Sequence, residues 1–396
     1  MTLESNPVGD GMTTGSGNND DELAIEILSN IQQFLKSTWS TIKPHQLSIK
    51  KIAGGYCNTV YCVQCPPGVP GEVAESLTQI PSRLLYRQYG GTKLGNFIRQ
   101  KHAHALTNET QETLIFYEAG RTGRAPLIHG VFPGGRIEEF IDGHTMTPEE
   151  LSDPNILRHT AQAFAAFHAL RLPLPDSSFF LTQKLAEMTA PGVIDQTRGE
   201  LMNSHPHLNL DFLDVDMNEP REWLVPILQQ VKSPIVLTHY DNNLLNVMVR
   251  DNPMLGQKKV LLIDYEMSKY MPRIYDLGSI LVNKTLVWNG QLSKMSGSAY
   301  PTLEERTVFL QAYADEIGKH DRYPEVEEAE MNGLEHLMLE ADVGALTMCL
   351  FMGSGMQRAA SQLIRVEESF LTMIPHLHSL FVSLRSGFEN KYPQFK

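Results

Sequence analysis

Two apolar runs, each ending on an acidic residue, constrain this chain more than any other feature. Residues 233–249 read Ser-Pro-Ile-Val-Leu-Thr-His-Tyr-Asp-Asn-Asn-Leu-Leu-Asn-Val-Met-Val, and after a short charged turn residues 260–267 read Val-Leu-Leu-Ile-Asp-Tyr-Glu-Met. The stretches 235–238 and 260–263 have strand composition, with 247–249 a third short run between them. This pattern places Asp241, Asn246 and Asp264 at one mouth.

Phosphoryl transfer from a nucleotide needs such a set. Its transition state spreads charge over the phosphoryl oxygens, so the protein supplies metal ligands and an acceptor for the nucleophile's proton. Asp241 is the expected acceptor. Asn246 offers a neutral oxygen and Asp264 an anionic one, the hard donors that Mg²⁺ prefers. The interval from Asp241 to Asn246 matches the Asp-x-x-x-x-Asn of kinase catalytic loops, with His239 two residues before the aspartate. Aspartates and asparagines at strand ends often only cap turns; three at this spacing favour the chemistry.

The run ending in His239-Tyr240-Asp241, followed by Leu-Leu-Ile-Asp-Tyr-Glu at 261–266, resembles the choline/ethanolamine kinase family. The resemblance implies an α+β, two-lobed protein-kinase-like fold, with a small antiparallel-sheet N-lobe and a larger, mainly helical C-lobe. It also implies ATP and Mg²⁺ as cofactors and choline or ethanolamine as acceptor. The family usually has His-Asn-Asp where this chain has His239-Tyr240-Asp241, a departure that spares the aspartate. An aminoglycoside-type phosphotransferase of the same fold is the nearest rival, and a nucleotide-binding pseudokinase a more distant one.

Composition sets the outer bounds. A chain of 396 residues suits two lobes better than one compact domain, and a formal net charge of −13 argues against nucleic acid or an anionic membrane as main partner. No uninterrupted apolar run reaches the roughly 18 residues of a bilayer span, and the acidic, Gly/Ser/Asn-rich start lacks a signal region, so a cytoplasmic protein without an integral membrane segment is expected. A homodimer remains open. Cys62-x-x-Cys65 has no second Cys/His pair at ligand spacing, which favours reduced thiols over a zinc site.

Along the chain, residues 1–20 read as a disordered tail. Apolar residues at helical intervals from Leu23 to Leu35 predict a helix that opens the nucleotide-binding lobe, assigned to 21–140, with the catalytic and substrate lobe at 141–396. Residues 47–63 alternate like a hairpin around Ala-Gly-Gly-Tyr-Cys-Asn, and a Gly-Gly-x-x-Asn turn occupies this position in choline kinases. The resemblance therefore assigns phosphate contact to Gly54, Gly55 and Asn58. Arg87, on the strand 83–90, stands where protein kinases place their nucleotide lysine and is expected to pair with Glu112, at the start of a helix. Residues 125–141 resemble the family's run into the interlobe hinge, which implies that adenine would meet backbone at Glu139, Phe140 and Ile141. Residues 91–108 read as a basic insertion without assignable chemistry. Thr147-Pro148-Glu149-Glu150 reads as a helix start, His168 as a residue packed beside the core, and residues 173–220 as polar and irregular. Asp276 would brace the catalytic loop, as the aspartate of the family's Asp-Ile-Gly does.

On the substrate side the chain departs from its relatives. Typical members follow Asp-Phe-Glu with a tyrosine and carry two tryptophans on a C-terminal helix, enclosing the quaternary ammonium by cation–π attraction. Here Met267 follows Glu266, and a loose alignment puts Ala345 and Met348 at the tryptophan positions. Glu266 and Trp288 are the expected substrate contacts, with Tyr300 and Phe351 as further aromatics. An incomplete cage predicts an enzyme that uses choline and ethanolamine alike.

Overall fold

Alternation at 48–64 becomes a pair of antiparallel strands, β1 (Ser48–Ile52) and β2 (Asn58–Gln64). The computed structural model describes residues 17–36, 39–52, 58–66, 81–90, 107–188, 190, 192–288, 293–320, 330–360 and 372–395. With β3 (Arg83–Tyr89), β4 (Ile128–Phe132) and β5 (Gly135–Glu139) the pair forms a five-stranded antiparallel sheet in the order β1-β2-β3-β5-β4. Helix α1 (Gly17–Phe34) begins six residues before Leu23, so residues 17–20 of the expected disordered tail are its first turn, and it buries Ile27, Leu28 and Ile31 against Leu84, Tyr86 and Ile137 of the sheet. Asn30 Nδ2 donates to the Tyr86 hydroxyl at 2.7 Å. At Gly130 a Cβ would meet the Phe34 ring at 2.4 Å, so only glycine lets α1 lie this close to β4. Cys65 is buried here and its thiol is pushed up to about 11 by burial, the behaviour of a packing thiol rather than a metal-binding thiolate.

The chain divides into two units, Met1–Ile98 with Ile128–Phe140, and Arg99–Leu127 with Ile141–Lys396. The sequence assigns 21–140 to the first lobe; within that span the described residues 107–127 group with the second unit. Helix α2 (Glu109–Arg121), capped by Asn108 through a box with Gln111, therefore belongs to the second unit.

The second unit is mainly helical, with short sheets that carry the site. Strands β6 (Gly143–Thr145), β8 (Val247–Arg250) and β9 (Val260–Leu262) pair antiparallel, and β7 (Ile235–Thr238) pairs with β10 (Lys269–Pro272), Thr238 opposite Lys269. Helix α3 (Pro154–His168) starts at Pro154 with Asp153 as cap. The expected start at Thr147 exists only as a capping box with Glu150, followed by a single 3-10 turn, Glu150–Ser152. The region 173–220, expected to be irregular, holds α4 (Phe180–Met188) and α5 (Val193–Ser204), with α6 (Asn218–Gln230) beginning at its end. Leu181, Leu185 and Leu201 from α4 and α5 enter the core.

The C-terminal half adds α7 (Ile274–Asn283), the hairpin β11 (Leu286–Trp288) and β12 (Ser293–Met295), α8 (Leu303–Ile317), α9 (Leu334–Ala359) and α10 (Met373–Lys391). Helices α7 and α9 meet backbone to backbone. A Cβ on Gly278 would lie 2.1 Å from the Gly344 backbone, so side chains there would force the helices apart. Within α9, residues Leu334–Arg358 are long and apolar enough to cross a membrane, but 83% of that window is buried, as in a core helix.

Candidate functional site

Strand β7 ends in a turn that the chain adopts only under strain. Asp241 N–H donates back to the His239 carbonyl at 2.9 Å, a γ-turn centred on Tyr240, whose φ is +68°. Left-handed backbone at a bulky residue costs on the order of 1–3 kcal/mol and persists only where surrounding contacts impose it. Asp264 has φ +67°, the second non-glycine residue of this kind among those described. Both strained residues lie in the motif that the sequence singles out.

The Asp241 carboxylate is gripped by two amides. Asn243 Nδ2 donates to Oδ1 at 3.0 Å, and Asn246 Nδ2 donates to Oδ2 at 3.0 Å and to the Asp241 carbonyl at 2.8 Å. Asn243 also caps the short turn Leu244–Asn246 by accepting from Leu245 N–H at 3.0 Å. Asp264 follows β9 where Asn246 precedes β8. Val247 pairs with Leu262, and Ile263 N–H donates to the Asn246 carbonyl at 3.0 Å, which puts the two expected metal ligands at the same end of one antiparallel ladder. His239 ties the two segments, its Nε2 donating to the Ile263 carbonyl at 2.9 Å. Because that partner only accepts, the ring carries its proton on Nε2. Tyr265 stacks on Phe167 at 5.1 Å and donates its hydroxyl to the Leu262 carbonyl at 2.6 Å.

Asp276, on α7 and fully buried, holds the loop from beneath. It accepts from His239 N–H at 2.6 Å, Tyr240 N–H at 3.0 Å, His168 Nε2 at 3.1 Å and Asn242 Nδ2 at 3.3 Å. The expected bracing role is met by the two consecutive backbone amides that enter the strained turn. His168 is more than a packing residue. Its Nδ1 accepts from the Tyr313 hydroxyl at 2.8 Å, and burial holds its pKa below the usual value despite Asp276, so the neutral ring links α3, α7 and α8. Nothing in sequence joins residues 108 positions apart, and this partnership is legible only in the fold.

In the first unit, Arg87 Nε donates to Glu138 at 2.6 Å, and Arg136 Nε donates to the same oxygen at 2.7 Å. Arg87 and Arg136 face each other across β3 and β5, a repulsive pairing, and Glu138, two residues on and on the same face as Arg136, neutralises both. Burial alone would raise the Glu138 pKa; the two guanidiniums outweigh it and lower it. The expected partner of Arg87, Glu112, is fully buried in α2 of the second unit. Asn58 is buried beside Tyr89 and accepts from Gly90 N–H at 3.4 Å. Gly54 and Gly55 lie outside the described residues, as do residues 1–16 and 91–106 of the expected tail and insertion. Glu139 ends β5 opposite Leu84, Phe140 lies under the Arg83 guanidinium at 4.4 Å, and Ile141 is buried.

Of the expected substrate residues, Glu266 is part-buried, and its carbonyl accepts from Thr107 N–H and hydroxyl at 2.7 and 3.0 Å. Trp288 ends β11 opposite Ser293. Ala345 and Met348 are core residues of α9, and Phe351 is only 6% exposed, packed on Tyr240 and Tyr275. Tyr300 packs near the Arg306 guanidinium at 5.6 Å, and burial pushes its phenol pKa up. A cavity of about 300 Å³ lined by Asp195, Asp214, Asp216 and Gln357 lies elsewhere in this unit and includes none of Asp241, Asn246 and Asp264.

An antiparallel sheet unit followed by a helical unit whose short strands present an Asp-x-x-x-x-Asn loop and a second aspartate is the protein-kinase-like fold. Solved structures share it. A choline kinase from Cryptosporidium parvum Iowa II aligns with a TM-score of 0.66 at 16% identity, covering 93% of this chain and 96% of that one. A Plasmodium vivax ethanolamine kinase aligns with a TM-score of 0.57 at 18% identity, covering 93% and 91%. The choline/ethanolamine kinase family model matches residues 49–368, and the chain belongs to that family of transferases. A rat choline/ethanolamine kinase is 24% identical over 325 residues, 81% of this chain and 76% of the relative.

Proposed function

We propose that this chain transfers the γ-phosphoryl of MgATP to the hydroxyl of choline and of ethanolamine. The carrying observation is the Asp241 carboxylate, fixed by the amides of Asn243 and Asn246 at the tip of a strained turn. Each carboxylate oxygen spends one lone pair on an amide and keeps another for an acceptor's hydroxyl, so Asp241 takes the proton as the oxygen attacks. Family membership supports the reaction class.

The donor set suits Mg²⁺. With its Nδ2 turned to Asp241, the amide oxygen of Asn246 is left to serve as a neutral ligand beside the Asp264 carboxylate. One carboxylate and one amide oxygen from the chain, completed by the nucleotide's own phosphates and water, are donors of the kind Mg²⁺ takes. When bound, the ion would neutralise charge developing on the phosphoryl oxygens. Arg87 and Asn58, with Gly54 and Gly55, would hold the nucleotide, and Glu266 and Trp288 the acceptor's ammonium.

Asp241→Asn keeps shape and removes basicity, so kcat should fall by about 10² or more with the fold intact. Wild-type turnover in that variant would exclude the role. On the acceptor side, a loose alignment puts Ala345 and Met348 of α9 at the family's tryptophan positions, and both lie in the core. Each aromatic contact not made forfeits about 0.5–2 kcal/mol of cation–π attraction specific to choline. Side-by-side assays should give kcat/KM for choline and ethanolamine within about a hundredfold; a thousandfold preference for choline would require a full cage.

A further inference from the structure

Tyr240 stands one residue before Asp241, and its ring, 8% exposed, takes no part in the chemistry above. Four elements enclose it. Phe180 of α4 meets it edge-on at 5.3 Å, Tyr275 of α7 lies at 5.1 Å, Phe351 of α9 meets it edge-on at 5.8 Å, and Lys269 Nζ of β10 sits 4.8 Å from its centroid. The same ammonium is 3.8 Å from the Phe180 centroid, so one cation serves two aromatic faces. A part-buried ammonium needs such compensation, and an aromatic quadrupole supplies it where an aliphatic side chain would not. The Tyr240 backbone is the strained centre of the turn that aims Asp241, and relaxing it requires moving this ring.

We propose that Lys269, acting through the Tyr240 ring, is a positioning residue for Asp241. The proposal rests on Asp241 being the proton acceptor. The ring holds the left-handed backbone at Tyr240, and the ammonium holds the ring. Burial, with Lys184 nearby adding to the effect, pushes Lys269 down to about 8. Of the elements around it, α4 presents Lys184, itself bonded to Glu187; the bridge to Tyr270 brings Asp176 of the preceding loop beside β10; the catalytic loop presents the Tyr240 ring; and β7 offers the neutral Thr238. The clamp is therefore charged at neutral pH and loses its cation as pH rises through that value.

The test compares kcat, KM and pH profiles of Lys269→Met, Lys269→Arg, Tyr240→Leu and the double variant with those of Asp241→Asn, each checked for folding by circular dichroism. Lys269→Met should lower kcat about tenfold with KM for MgATP within about twofold, and Lys269→Arg should recover most of the loss. The double variant should be no slower than Tyr240→Leu alone, because both remove one stack. The parent's fall in kcat near pH 8 should be absent from Lys269→Met. If Tyr240→Leu does not fold, the two Lys269 variants decide. Parent-like kcat and pH profile in Lys269→Met, with Asp241→Asn inactive, overturn the clamp alone; full turnover in Asp241→Asn overturns the reading of Asp241 and the clamp with it.

Discussion

Glu138 and Asp276 are both carboxylates sealed from water, one in each unit, and they are held in opposite ways. Glu138 lies between two guanidiniums, so its partners are charges that repel each other without it. Asp276 accepts from two consecutive backbone amides and two neutral side chains, so its partners are directions rather than charges. The first arrangement balances charge in a sheet. The second fixes the path of a strained loop, and it sits under the residue that the proposed chemistry needs most exactingly placed.

Breaking the charge clamp should have the largest effect. Glu138→Gln keeps the shape but leaves the buried Arg136 guanidinium opposed to the part-buried Arg87 with no carboxylate charge between them, which should cost about 3–5 kcal/mol of stability in the first unit. Hydrogen exchange in β3 and β5 reads this directly; unchanged protection would mean that the arginines find other anions. Asp276→Asn should cost less, about 1–3 kcal/mol, because an amide oxygen still accepts while its NH₂ meets a backbone donor. Its signature should be in catalysis, a fall in kcat of about tenfold or more at nearly constant KM for MgATP. If Asp276→Asn lost stability while keeping kcat, the loop would owe its shape to other contacts.

The same contrast separates what the sequence discloses from what it does not. Asp241, Asn246 and Asp264 are legible because they sit at ends of short strands, where spacing along the chain becomes spacing in space. The Arg87–Glu138 pairing depends on strand register, which places Arg136 opposite Arg87 and brings Glu138 to both. The link from His168 to Asp276 depends on helix packing. Between 173 and 220 the Leu181/Leu185 repeat marks α4 at i, i+4, but the helix is only 9 residues long and its flanks are rich in proline and serine, so periodicity has little room to emerge. At Thr147 the capping box forms as read, yet Asp153 and Pro154 restart the chain as a better-capped helix.

An exposed clamp provides the smallest and most discriminating prediction. His144 is the solvent-facing counterpart of Glu138, one imidazole between two carboxylates, with Nε2 2.9 Å from Glu150 and Nδ1 2.9 Å from Asp251. The hydrogen bond to Glu150 is the main cause of its raised pKa, and burial opposes it only in part. A raised pKa means that the stabilisation is fully present below the unfolded value near 6.5 and is lost as pH rises through the higher folded value. Glu138 has the opposite sign: its lowered pKa gives stabilisation present above the unfolded value near 4.5 and lost as pH falls through the folded one. The His144 ring is about half exposed, so its contribution should stay below about 1 kcal/mol and shrink with added salt. His144→Gln should therefore flatten a small decline in stability above pH 6.5 while leaving the acid limb untouched, and Glu138→Gln should do the reverse. Chemical denaturation of the two variants across pH 3–9 checks both limbs, and a His144 variant that altered the acid limb would show that the exposed and buried clamps are coupled.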